Sequence, residues 1–313
     1  MDGNTSAAWA TVRVGALALL WGATFLWIEL ALDALSPAQV TVARCVLGAA
    51  TLLAVCFGSG RRLPRGRALW CRIVVAAFFC NALPFTMFSI GQQTIDSGVA
   101  GVLNATTPLW SLLLGLLIGT ERGIRPVRLT GLVLGFGGTV LIFAPWQQDG
   151  SVGWGALAVV VAAASYAVGF TFMGRQLAGR GVPTISLSAA QLCAATGLTA
   201  LSLPREGLAP VELDATVVLA VVVLGVFSTG VTFHLTFRVI AEEGATNASA
   251  VGYLLPVVSI ALGVIVLGEP FSLRIAAGMA VVLLGVGMTR RRDPRAPAPP
   301  LAAPHTEKTG TLT

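Results

Sequence analysis

The chain of 313 residues is 55% hydrophobic and only 11% charged, with a mean hydropathy of +0.83 and a formal net charge of +6. Soluble domains carry about 25% charged residues, so this composition excludes an ordinary water-soluble fold and places most of the chain in lipid. No ten-residue alternation of the kind a β-barrel needs is present, which leaves an all-α integral membrane protein.

The first predicted span covers 12–32, with Trp21 and Thr24 in its middle and Glu29 near its end. The leader MDGNTSAAWATV has no basic run, opens with Asp2 and is followed by no small-x-small site, so this span reads as a retained helix and not a signal peptide. The second span, 37–57, holds Arg44 seven residues in, about 10 Å deep by helical rise. Charge-free stretches follow at 73–95, 97–120, 129–148, 150–174, 181–204, 215–237 and 244–268. Each is long enough to cross a hydrocarbon core of about 30 Å at about 1.5 Å per residue. A tenth span, 271–289, carries Arg274 near its start. Residues 291–313 are Pro- and Ala-rich, lack periodicity and read as a disordered tail. The five cysteines form no CxxC pair and lie in or beside apolar spans, so they read as small core residues. No metal site, cofactor or catalytic residue is expected.

With the N-terminus inside, the outer loops hold only Arg205 and Arg274 and the membrane holds Arg44; every other basic residue faces the cytoplasm. That asymmetry sets the orientation, with both termini cytoplasmic. It also accounts for the net positive charge through anionic lipid, so no nucleic-acid partner is expected.

One phrase is written twice. PLWSLLLGLLIGTER closes on Glu121, and PVVSIALGVIVLGEP closes on Glu269; Pro108 to Pro256 and Glu121 to Glu269 share an offset of 148 residues. Within that offset Asn81 pairs with Thr229 and Phe85 with Phe233, while Arg44 corresponds to Gln191 after a one-residue shift. The expected fold is therefore ten transmembrane helices in two five-helix repeats, 1–148 and 149–290. Because five is odd, the second repeat enters the membrane inverted, an architecture that gives secondary transporters two related states.

The run LGEPFSLRIAAGMAVVLLGVGM, the WGATF of the first span, the Ser36–Pro37…Arg44 pattern and the GTER copy together resemble the EamA-type carriers of the drug/metabolite transporter superfamily, over about residues 12 to 290. The resemblance implies a bacterial inner-membrane carrier that exports amino acids, related metabolites or drugs without hydrolysing ATP. The first half departs from the pattern, because Gly119 stands one residue earlier than the glycine before Glu269.

Glu121 and Glu269 are candidate gate or coupling carboxylates at the two mouths, or else stabilise the start of the following helix by charge. Arg44 either pairs with Glu29 or faces a cavity and binds a substrate carboxylate. Asn81 and Phe85 share a helical face, as do Thr229 and Phe233, and the two couples suit either the wall of a central cavity or ordinary helix packing. By analogy with the family, Trp21, Thr24, Asn104, Ser165, Tyr166 and Tyr253 join the substrate-binding set. His234 is the one histidine inside a span, a candidate proton relay or a hydrogen-bonded core residue. Gly131, Gly135, Gly137 and Gly138 in the fifth span and Gly278, Gly285 and Gly287 in the tenth mark packing faces, with a homodimer face as one use.

Three functions compete. The leading one is export of small neutral or zwitterionic solutes by alternating access, with the proton as candidate coupling ion; a drug exporter of the same fold is the alternative. An intramembrane enzyme would need a catalytic pair at matching depth, and no Asp lies inside a span. A scaffold would not need two inverted halves.

Overall fold

The computed structural model describes residues 15–119, 126–143, 151–203, 211, 214–243, 251–269 and 272–289, and among them every regular element is helical. The chain runs through α1 (Gly15–Leu32), α2 (Pro37–Gly58), α3 (Arg67–Gly91), α4 (Ser97–Leu117), α5 (Pro126–Phe143), α6 (Ser151–Gln176), α7 (Thr184–Ala200), α8 (Ala215–Glu243), α9 (Leu255–Leu267) and α10 (Leu273–Thr289). Six of these, α1 to α4, α6 and α8, contain stretches long and apolar enough to cross a membrane. The other four fall short by length or composition among the described residues. The predicted tail and Glu121 lie outside the described residues.

Local chemistry sets the ends. Ser36 and Gln39 form a reciprocal capping box, with Pro37 in the first turn of α2. Asp214 accepts the Val217 N–H at 2.7 Å to start α8. Gly119, φ +69°, follows α4, and Gly268, φ +67°, ends α9, a left-handed geometry that glycine adopts without a Cβ penalty. The one-residue mismatch between these two glycines is matched by a π-helical stretch in α9, Gly263–Leu267, where the wider turn absorbs one extra residue.

Two other π-helical stretches fall at repeat-equivalent places, Phe78–Ala82 in α3 and Val226–Val231 in α8. In α3 the cause is Pro84, which has no N–H to give. Leu83 N–H bonds the Phe78 carbonyl in the wide register, and the Phe79 carbonyl instead accepts the Ser165 hydroxyl at 2.7 Å. In α8 the residue in Pro84's place is Thr232, which bonds the equivalent Phe227 carbonyl through its N–H and, at 3.0 Å, its hydroxyl.

The halves meet through α1 with α8, α2 with α7, α3 with α6, α4 with α9 and α5 with α10, and also through α2 with α8 and α3 with α7. Exchanging the halves maps this set onto itself. The α5–α10 pair meets through glycine. A Cβ on Gly285 would lie 2.5 Å from the Gly131 carbonyl oxygen, and one on Gly138 would lie 2.8 Å from the Val282 nitrogen. Of the glycines read from the sequence, Gly131, Gly135, Gly138, Gly278 and Gly285 are thus turned into this contact, while Gly137 and Gly287 meet nothing within 4 Å. Apolar side chains such as Leu117, Val133, Ile265 and Leu284 point outward, as lipid-facing residues do.

Candidate functional site

Arg44 projects from the middle of α2, and the close approach that lets it reach α8 is made one turn later. There a Cβ on Gly48 would sit 3.0 Å from the Thr229 methyl. Arg44 is only 2% exposed. Its Nε donates to Thr229 Oγ1 at 3.0 Å, and its guanidinium carbon stands 3.8 Å above the centre of the Phe85 ring. Its Nη1 is buried with no hydrogen-bond partner. Of the two alternatives open for Arg44, the pair with Glu29 does not form. Glu29 instead accepts from Gln92 Nε2 at 3.1 Å, and the same Gln92 nitrogen also donates to the Phe25 carbonyl. Arg44 turns inward to the cavity while Glu29 stays with the α3 terminus.

The cavity beside Arg44 is lined by Trp21, Cys80, Phe85, Tyr166, Phe170, Ser228, Thr229, Thr232, Phe233 and Thr236. Tyr166 and Phe170, one turn apart on α6, stack at 5.4 Å, and Trp21 meets both edge-on at 5.9 and 6.0 Å. Opposite them α8 lays a polar stripe. The cavity leaves about 20 Å³ for the centre of a water-sized sphere. That is room for about one water.

Of the residues singled out from the sequence, the structure brings Trp21, Arg44, Phe85, Tyr166, Thr229 and Phe233 together around this cavity. Asn81 lies just behind it, fully buried, its Oδ1 accepting Gln191 Nε2 at 3.0 Å. Thr24 and Ser165 bond backbone carbonyls, of Leu20 and Phe79, and Asn104 is buried in α4 beside Thr107. These three do not line the cavity. The backbone of Tyr253 lies in a 3₁₀ turn ahead of α9, and its side chain is outside the description. His234 Nδ1 lies 3.4 Å from Ser188 Oγ, on the side of α8 away from the cavity lining.

Sequence reasoning missed Cys80, Phe170, Ser228, Thr232 and Thr236. The signal was available in part: Thr229, Thr232 and Thr236 recur at helical spacing, and Phe170 is one turn from Tyr166.

Glu269 meets the start of a helix in the other half. Its two oxygens accept the Ser97 and Gly98 N–H groups at 2.8 and 3.0 Å, so it caps α4 in the other half. The carboxylate fits because Gly98 and Gly263 have no Cβ; one on Gly98 would lie 3.1 Å from Glu269 Oε2. Burial raises the neighbouring Asp96 carboxyl above its ordinary value of 3.8, and the Glu269 charge adds to the rise.

The model of the EamA-like transporter family matches residues 10–144 and again 153–291. An "uncharacterized transporter" of Archaeoglobus fulgidus is 29% identical over 277 residues, 87% of this chain and 95% of its own length. The "uncharacterized inner membrane transporter YedA" of Escherichia coli is 24% identical, over 92% of this chain and 93% of its own. A protein of known crystal structure superposes with a TM-score of 0.68 at 23% identity, over 90% of this chain and 97% of its own, which places the two in one fold.

Proposed function

The chain belongs to the EamA-like transporter family, and from that premise we propose that this multi-pass membrane protein exports small neutral or zwitterionic metabolites, amino acids or their relatives, across the bacterial inner membrane. In this reading ten spans form two inverted halves, 1–148 and 149–290, with both termini in the cytoplasm. The halves rock about the cavity so that it opens to one side at a time. The proton is the candidate driving ion, with Glu269, Glu121 and His234 as its candidate carriers.

The observation that carries the reading is the buried Arg44, held at the junction of the halves in a wall otherwise made of hydroxyls, aromatic rings and the Cys80 thiol. An intramembrane charge without a protein counter-charge belongs to a solute path more readily than to a core. A zwitterion suits the site: its carboxylate meets Arg44, and its ammonium meets the faces of Tyr166 and Phe170.

A drug exporter of the same fold is the second reading, favoured by the five aromatic residues that line the cavity. Counterflow in proteoliposomes separates the two. Saturable uptake of labelled amino acids, lost in Phe85→Ala and stimulated by an outward proton gradient (acidic lumen), is the expected result. Uptake of lipophilic cations with none of amino acids would select the second reading.

A further inference from the structure

Arg44 poses a physical problem for any carrier cycle. When the cavity is open to either side, water solvates the guanidinium. When the halves close to the dimensions seen here, the cavity has room for about one water. Arg44 then keeps one hydroxyl partner, Thr229, and one ring face, Phe85, while its Nη1 has no partner at all. No acidic residue lines the cavity among the described residues, and the equivalent position in the other half holds the neutral Gln191, already engaged with Asn81. Every passage between the outward and inward states must cross a closed form of this kind. An empty carrier crosses it with an uncompensated charge in an interior that admits at most about one water, and such a charge is strongly unfavourable. A carrier holding a carboxylate crosses it with the charge neutralised by a two-pronged hydrogen-bonded pair.

We infer that Arg44 makes reorientation conditional on a bound carboxylate, so that the protein works as an exchanger of carboxylate-bearing solutes and returns slowly when empty. The inference rests on the carrier reading above and adds to it a mode of transport and a chemical requirement. The carboxylate must be on the solute, because the wall offers none. The rest of the solute meets rings and hydroxyls, so side-chain selectivity is loose and the carboxylate is the common element.

The test uses proteoliposomes of the full chain with a labelled mixture of the common amino acids outside. The lumen contains buffer, the unlabelled mixture, or the corresponding mixture of amino-acid amides, which keep the ammonium and lack the carboxylate. Uptake against internal amino acids is expected to exceed uptake against buffer at least about ten-fold, because each crossing then occurs with the charge paired. The amides are expected to stimulate no more than buffer. In Arg44→Gln the ratio of exchange to net uptake falls to near one. Arg44→Lys keeps the charge but loses the planar fork, so it retains the ratio with a raised KM, and it covers the case in which Arg44→Gln does not fold. Equal uptake against buffer and against amino acids overturns the exchange. Stimulation by amides equal to that by amino acids overturns the carboxylate requirement. Absence of any labelled flux, with the protein folded and inserted, overturns the underlying reading of an amino-acid carrier, an outcome distinct from both.

Discussion

Arg44 donates to Thr229 at 3.0 Å, and the residues that occupy their places in the opposite halves, Gln191 and Asn81, make the corresponding bond at 3.0 Å. Each bond runs from the second helix of one half to the π-helical stretch in the third helix of the other. Two copies of one contact therefore pin the halves together beside the cavity, and only one copy carries a charge. The sequence repeat has become a pair of interactions related by exchange of the halves, with the charge in one member.

The uncharged member tests the structural part of this relationship. Asn81→Leu or Gln191→Leu alone leaves a buried amide facing an apolar side chain, a loss of about 1–3 kcal/mol. The double substitution removes both polar groups and is expected to cost less than the sum of the singles. Thermal unfolding of the purified protein in detergent measures the cycle. Strict additivity would show that the two amides do not depend on each other.

Ser165 supports the π-helical stretch of α3 through the Phe79 carbonyl. Ser165→Ala strands the Phe79 carbonyl and is expected to cost about 1–3 kcal/mol. Pro84→Ala restores an N–H to α3, so the double variant Ser165→Ala/Pro84→Ala should recover part of the loss. If Ser165→Ala were neutral, the hydroxyl would not be supporting the π-helical turn.

Asp96 gives a pH dependence with a defined sign. Its carboxyl is raised above 3.8 by burial first and by the Glu269 charge second. The folded protein therefore binds that proton more tightly than the unfolded chain does. Stability falls as pH rises from the ordinary carboxylate value through the raised one. Asp96→Asn should match the wild type at about pH 3.5 and exceed it at about pH 7. Melting midpoints that differ by the same amount at both ends of this range would contradict the assignment.

The contact between α5 and α10 sets a steric limit. Gly285→Leu drives carbon into the Gly131 carbonyl and should cost about 1–3 kcal/mol or more, since backbone and not a flexible side chain must move. Gly287 meets nothing within 4 Å, and Gly287→Ala serves as the neutral control. Equal melting temperatures for the two variants would sink the packing argument.

Much of this was legible because charge is scarce. Arg44 stood out as the basic residue set deepest in a predicted span, and the 148-residue offset joined Asn81 to Thr229 and Phe85 to Phe233. What could not be read was the direction of each partner. Glu29 and Arg44 lie near one another along the chain, yet their side chains diverge to Gln92 and Thr229. Glu269 caps α4, 172 residues away along the chain, a partner that only the packing of α9 on α4 supplies. Thr232 and Thr236 escaped notice because a threonine in an apolar helix ordinarily bonds its own backbone; Thr236 does so at 2.8 Å and still lines the cavity.

The central claim is that the two halves lie in the membrane with opposite orientation. It is tested most directly by cysteine labelling at Asp96 and Glu243, which terminate equivalent segments of the two halves. In a background lacking the five native cysteines, a membrane-impermeant maleimide added to intact cells should modify Asp96→Cys and spare Glu243→Cys, and inverted vesicles should reverse the pattern. Modification of both from the same side would contradict the inverted architecture and the transport cycle built on it.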